Sequence, residues 1–307
     1  MEISSEFVGR KLKRFSTQAE KRFTTNYAAA IGDFNPRYFD DESEQMLVAH
    51  PMFAVALSWP IIANISDYID FKDAAAFLFS IVHYTEFIKF HRPVKPGEKL
   101  EAQGDVAAIL PRRGGTHVIF RFPFTDKNGE PVFTEFLGGL LRGVSCPDGG
   151  RGSENLPKIP SFPDAGNHSA IESSRSDISS AAPPLWEAAE YISPGAPYIY
   201  DACSDIVFAI HTSPAFARSV GLPGIILQGT ATLALAVKRI IRREADDKPE
   251  LLSQIGCRFR AMVFPGEEIK IRLLNRRNTD TGKELFFDVL NGRNETAIKE
   301  GFAKISF

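Results

Sequence analysis

Cysteine is scarce in this chain and scattered. Its 307 residues hold three, Cys146, Cys203 and Cys257, too few for a disulfide framework and in none of the paired spacings that ligate zinc. Reduced thiols in a cytoplasmic protein are expected. Charge of one sign is lacking too, since 36 Lys and Arg against 38 Asp and Glu leave a net charge of -2. That balance gives no electrostatic case for nucleic acid or an anionic membrane as main partner, and leaves open a small anionic ligand held by a few local cations. The most apolar run, Met52 to Ile65, is interrupted by Ser58 and Pro60 and is too short to cross a bilayer. The first residues lack the basic start and apolar stretch of a secretory signal.

What is present is one pattern written twice. With 44% hydrophobic residues, the chain has material for two domains of roughly 130 to 150 residues. Tyr27-Ala-Ala-Ala-Ile-Gly-Asp33-Phe-Asn35-Pro36-Arg-Tyr38 stands near the front, and Tyr200-Asp-Ala-Cys-Ser-Asp205-Ile-Val-Phe208-Ala-Ile-His211 stands past the middle. Each is followed by an apolar helix candidate, from Pro51 to about Ser66 and from Gly229 to about Arg243. Strand candidates come next: 81–90, 99–109, 116–125 and 131–144 in front, with rear counterparts starting at Leu252, Glu267, Lys283 and Glu295. In the third front strand, Val118, Phe120, Phe122 and Phe124 share one face while Ile119 and Arg121 share the other. Asn128-Gly129 and Asn291-Gly292 mark matching hairpins, and Arg92 to Glu98 has its echo in Arg260 to Glu267. Between the copies, residues 146–185 are rich in Gly, Ser and Pro and read as a linker. The expected layout is a domain over 1–145, this linker, and a second domain over 186–307. One long helix followed by antiparallel strands makes each an α+β unit.

These motifs resemble the MaoC-like dehydratases, the (R)-specific enoyl-CoA hydratases, in their double hot-dog form. The likeness covers nearly all but the linker and is most specific from Asp205 through Thr232. It implies a tandem hot-dog in which each half wraps an antiparallel sheet around a long central helix. It also implies a hydro-lyase that hydrates 2-enoyl-CoA or dehydrates 3-hydroxyacyl-CoA, as in β-oxidation, with coenzyme A as part of the substrate and no metal or organic cofactor. The catalytic residues carried over are Asp205 and His211, which grip one water, and the Gly229 backbone N–H takes the thioester oxygen. Gln228, Tyr200 and Phe208 fall at substrate-binding positions.

Three departures accompany this match. Phe208-Ala209 replaces the usual Asn-Pro, the step from Asp205 to His211 is one residue longer than usual, and Gln228 replaces a histidine before the helix glycine. In the front copy Tyr38 stands where the base would be, which implies a non-catalytic half that shapes the acyl pocket, with Phe53, Trp59, Phe77 and Phe79 as lining or plain core. On spacing alone, His211 also reads as a histidine at the start of a helix capped by Ser213. Arg92, Lys95, Arg258 and Arg260 are candidates for coenzyme A phosphates or ordinary surface charge. A hot-dog thioesterase and a non-catalytic acyl-CoA-binding subunit are the competing functions, and a homodimer or a monomer whose halves mimic one are the competing assemblies.

Overall fold

The computed structural model describes residues 1–43, 46–69, 81–160 and 183–307. Phe77, Phe79 and the linker residues 161–182 lie outside them. The front half contributes β1 (Phe15–Gln18), β2 (Ile81–Phe90), β3 (Lys99–Ala102), β4 (Asp105–Arg112), β5 (Gly115–Asp126) and β6 (Pro131–Arg142). The rear half contributes β7 (Trp186–Tyr191), β8 (Leu252–Phe259), β9 (Glu268–Thr279), β10 (Gly282–Leu290) and β11 (Thr296–Ser306). All join one antiparallel sheet in the order β1-β3-β5-β6-β2-β8-β11-β10-β9-β7, with β4 also on β5. Outward from the β2–β8 seam, where Ile88 faces Ile255, both halves run through their strands in the same order. The fold is a double hot-dog, as the family resemblance implies.

Alternation sets which residues face the helices. Val118, Phe120, Phe122 and Phe124 of β5 enter the main core, while Ile119 joins a small cluster on the opposite face and Arg121 pairs there with Asp105. The strand expected over 99–109 is broken between β3 and β4. A Cβ on Gly104 would lie 2.6 Å from the Phe122 ring and 2.8 Å from the Arg121 carbonyl, so the chain passes too close to β5 there for any side chain.

Before these strands come α1 (Lys21–Ala30) and α2 (Pro36–Phe39), then α3 (Ala54–Ala63) and α4 (Ile65–Tyr68) in place of one continuous front helix. Pro60 sits inside α3 and contributes no N–H, and the break falls at Asn64. The rear half has α5 (Ala196–Ser204), α6 (Pro214–Ser219) and α7 (Gly229–Glu244). Ala231, Leu233, Ala234, Val237, Ile240 and Ile241 of α7 are buried in the main core, each large aliphatic stabilising by roughly 1.5–3 kcal/mol. Arg242 and Arg243 close the last turn, where cations complement the helix dipole. Buried Glu244 ties that end to the sheet through Arg276 and accepts from Trp186 Nε1 at 2.8 Å. With its far end fixed, α7 presents its first turn to a defined place.

The described start of the linker is not free chain. Arg151 bridges to Ile109, and Leu156 packs on Ala107, Ala108 and Ile119 on the outer face of the sheet.

Candidate active site

The two helix starts differ. In front, His50 Nδ1 accepts the Met52 N–H at 3.2 Å and Pro51 opens the helical segment without an N–H, so that start is capped and has no donor to spare. In the rear, Gln228 precedes α7 but its side chain makes no cap. Its Nε2 donates to the Pro197 carbonyl at 3.1 Å, and its buried Oε1 has no hydrogen-bond partner. The Gly229 N–H reaches no protein acceptor among the described residues. An uncapped helix start carries partial positive charge and aimed donors. Phe259 lies 3.1 Å from where a Cβ on residue 229 would be, so glycine leaves the mouth open.

The loop that carries His211 turns back onto the segment that leads into α7. The Ile226 N–H bonds the Ile210 carbonyl, and His211 Nδ1 lies 2.8 Å from the Ile226 carbonyl. A carbonyl only accepts, so Nδ1 holds the proton and Nε2 the lone pair. Burial pushes the imidazole down to about 4, partly offset by that carbonyl, so the ring is neutral at pH 7. Ser213 caps α6 by accepting the Phe216 N–H at 3.2 Å, which anchors the loop just past His211. The Phe208 ring lies 6.4 Å from both the His211 and Phe216 rings.

The remaining assigned residues are placed differently. Tyr200 is buried beneath the first turn of α7, its hydroxyl 3.1 Å from Thr230 Oγ1 and 2.9 Å from the Tyr27 hydroxyl. It props the helix start from inside. Asp205 ends α5 in a left-handed conformation with φ 53° and is exposed. Burial raises its neighbours Asp201 and Cys203, and the Asp205 charge adds to that. The structure thus ties His211 to Ile226, in the segment that leads into Gln228 and Gly229, and leaves Asp205 exposed at the end of α5. Sequence reasoning did not single out Asp201, whose Oδ1 is buried without a partner. Burial raises its carboxyl and the Phe208 N–H holds it back. Its one signal was adjacency to Tyr200.

In the front copy, Asp33 Oδ2 is 3.6 Å from His50 Nε2. Burial raises Asp33 to about 6, opposed by the Asn35 N–H and by Lys238. Burial lowers His50 to about 3, so this contact is not an ion pair at neutral pH. Tyr38 is buried with an unpartnered hydroxyl, held protonated by burial and by the Asp33 charge. Rear-half groups close the cluster, since Asn35 donates to the Asp247 carbonyl at 2.7 Å and Lys238 to the Ile31 carbonyl at 3.1 Å. The cavity beside His50, Pro51 and Pro249 has about 10 Å³, room for one water at most.

A stability prediction follows from Asp33. A carboxyl raised from 3.8 to about 6 favours the fold when protonated, and that contribution is lost as pH rises through about 6. Asp33→Asn removes the titration. In urea unfolding, the stability of the variant relative to wild type should rise by on the order of 2–3 kcal/mol between pH 4 and pH 7.

Of the cations considered for coenzyme A, Arg92 is paired with Glu98 and Asp126 and Arg258 with Glu300. Among the described residues no cluster of metal-ligating side chains occurs and no helix is long and apolar enough to cross a membrane.

Residues 189–295 match the MaoC like domain, and residues 6–135 match the FAS1-like dehydratase domain region. The chain is 35% identical over 86 residues to the peroxisomal enoyl-CoA hydratase 2 of Arabidopsis thaliana, a match covering 28% of each protein. It is 26% identical over 227 residues to 3-hydroxyacyl-thioester dehydratase Y of Mycobacterium tuberculosis, covering 72% of this chain and 68% of that one. In fold it is similar to a MaoC-like dehydratase from Phytophthora capsici, with a TM-score of 0.79 at 20% identity over 98% of this chain and 97% of the other. A Mycobacterium tuberculosis protein with a double hotdog fold superposes with a TM-score of 0.58 at 15% identity, over 96% of both chains. The chain thus carries a FAS1-like dehydratase region in front and a MaoC like domain behind, joined through one sheet in a double hot-dog fold.

Proposed function

We propose that the chain catalyses the (R)-specific hydration of 2-enoyl-CoA and the reverse dehydration of 3-hydroxyacyl-CoA at the rear helix mouth, without a metal or organic cofactor. The observation that carries the reading is the asymmetry of the helix starts: the front one is capped, and the rear one is open beside a neutral imidazole. The names of the plant and mycobacterial relatives support the same chemistry.

In this reading the thioester oxygen accepts the Gly229 N–H, the arrangement that stabilises charge developing on that oxygen. His211 Nε2 takes a proton from water as the water oxygen bonds to C3, and the C2–C3 π electrons move toward the carbonyl to give an enolate. The proton then passes from the imidazolium to C2, on the face from which water came. Dehydration runs these steps backwards. Asp205 is the carboxylate that the motif assigns to orient the water. A second reading gives that task to Asp201, favoured by its buried, unpartnered oxygen.

Incubation with a 2-enoyl-CoA tests the proposal: the (R)-3-hydroxyacyl thioester is the expected product, whereas release of free coenzyme A thiol would make the chain a thioesterase. The pH profile supplies a second check. The base works unprotonated, and burial lowers His211 to about 4, so the acid limb of kcat/KM should fall near pH 4. A limb near 6.5, the ordinary histidine value, would mean the working base is a solvated group.

A further inference from the structure

Deep in the front half lies a polar cluster that the reaction above does not use. Glu86 of β2 and Glu135 of β6 are both 0% exposed, and none of their four carboxyl oxygens has a hydrogen-bond partner among the described residues. The sheet register makes them neighbours, since Glu86 lies opposite Leu137 and Ile88 opposite Glu135, a diagonal pair on one face. The hydroxyl nearest at hand, Ser58 of α3, points its Oγ at the Val55 carbonyl at 3.2 Å. Burial drives both carboxyls well above the usual range, and each feels the other.

His83 belongs to the same cluster because of a backbone irregularity. The β2–β6 register slips between His83 and Thr85, a bulge that turns residues three apart onto one face. His83 Nε2 comes to 3.1 Å from Glu86 Oε2, out of line for a hydrogen bond, and is itself unpartnered. Burial lowers the imidazole to about 4, so it is neutral. Unlike the two carboxyls, the His83 side chain is 25% exposed and forms the open edge of the cluster.

The cluster adjoins the helix mouth. The His83 ring is 4.7 Å from the Phe259 ring, and Phe259 is the side chain packed against Gly229. On the other side the Glu86 charge reaches Tyr27 and Tyr200, the pair that supports Thr230. Two carboxyls and an imidazole placed among Ile88 and Leu137, with the Ser58 hydroxyl acting on Glu135 as the donor at hand, are costly. Apolar residues of similar size would cost the fold nothing, so the arrangement calls for a ligand group. A carboxyl pair sharing a proton both donates and accepts, which matches an alcohol hydroxyl.

We infer that His83, Glu86 and Glu135 form the distal wall of the acyl pocket and select acyl chains that carry a hydroxyl group away from the thioester. This rests on the proposed function for the position of the thioester, and its test is separable. Binding of hexanoyl-, octanoyl- and decanoyl-CoA and of their ω-hydroxy counterparts is measured by calorimetry, alongside hydration of an unsubstituted 2-enoyl-CoA. At least one ω-hydroxy chain should bind wild type about tenfold or more tighter than its unsubstituted partner. The double variant Glu86→Leu with Glu135→Leu, of a kind that folds stably elsewhere, should lose or reverse that preference in binding, with its folding checked by circular dichroism. Glu86→Gln with Glu135→Gln, which keeps donors and acceptors in place, should retain a preference. Equal binding of all pairs by wild type, or a preference that survives in the leucine variant, overturns the inference, and a wild type that still hydrates leaves the functional reading intact. A hydroxyl preference without any hydration would support the pocket and remove the reaction.

Discussion

His211→Ala should lower kcat for hydration by about 10²–10⁴-fold, the range for loss of a positioned general base, with little change in folding. The imidazole makes one hydrogen bond, to the Ile226 carbonyl, and Ser213 holds the loop without it, so circular dichroism and urea unfolding should be close to wild type. A loss confined to KM would show instead that the ring packs against substrate and moves no proton. The two aspartates make an informative pair in the same assay. If the assignment by motif holds, Asp205→Asn drops kcat and Asp201→Asn does not; if the buried oxygen orients the water, the order is inverted.

The second large effect concerns a backbone atom. Gly229→Pro deletes the N–H at the first position of α7 and should cost about 10²–10³ in kcat, the usual penalty for one oxyanion donor. Proline is well tolerated at a first helical position, and Gln228 already has φ -57° and ψ 135°, the conformation that a residue before proline prefers. Gly229→Ala is the control. It keeps the N–H while pressing a methyl to 3.1 Å from Phe259, so its effect should be much smaller. If the two variants are equally impaired, the loss comes from crowding at the mouth and the donor carries no weight.

The strands were readable in the sequence where local chemistry decides them. Alternation through Phe120, Phe122 and Phe124 set the buried face of β5, and the turns around Asn128-Gly129 and Asn291-Gly292 fell between the expected strands. The start of α7 at Gly229 and the Ser213 cap of α6 were legible for the same reason. What escaped depends on distant partners. The break at Gly104 is imposed by Phe122 across the sheet, and nothing near residue 104 announces it. Asp33 and His50 are brought together by the fold, and Asn35 is tied to Asp247 of the rear half. His83, Glu86 and Glu135 are separated along the chain and meet through a bulge and a strand pairing. At the candidate site, the motif led to His211 and Gly229 but could not tell which of two nearby aspartates carries the unpartnered buried oxygen, because that depends on how α5 ends.

The asymmetry of the helix starts also accounts for why two copies of one pattern need not mean two sites. The front copy keeps Asp33, Asn35 and Pro36, which makes it look the more complete in sequence. Its helix start nevertheless offers no free donor, and Asp33, Asn35 and Tyr38 are buried. The rear copy has lost the Asn-Pro pair yet keeps an open first turn and an unprotonated Nε2.

A crystal structure of the chain with a bound 3-hydroxyacyl-CoA tests this account most directly. The account predicts the thioester oxygen within hydrogen-bond reach of the Gly229 nitrogen and the 3-hydroxyl at His211 Nε2. A thioester seated at the front helix, or anywhere that leaves the Gly229 N–H facing solvent, would contradict it.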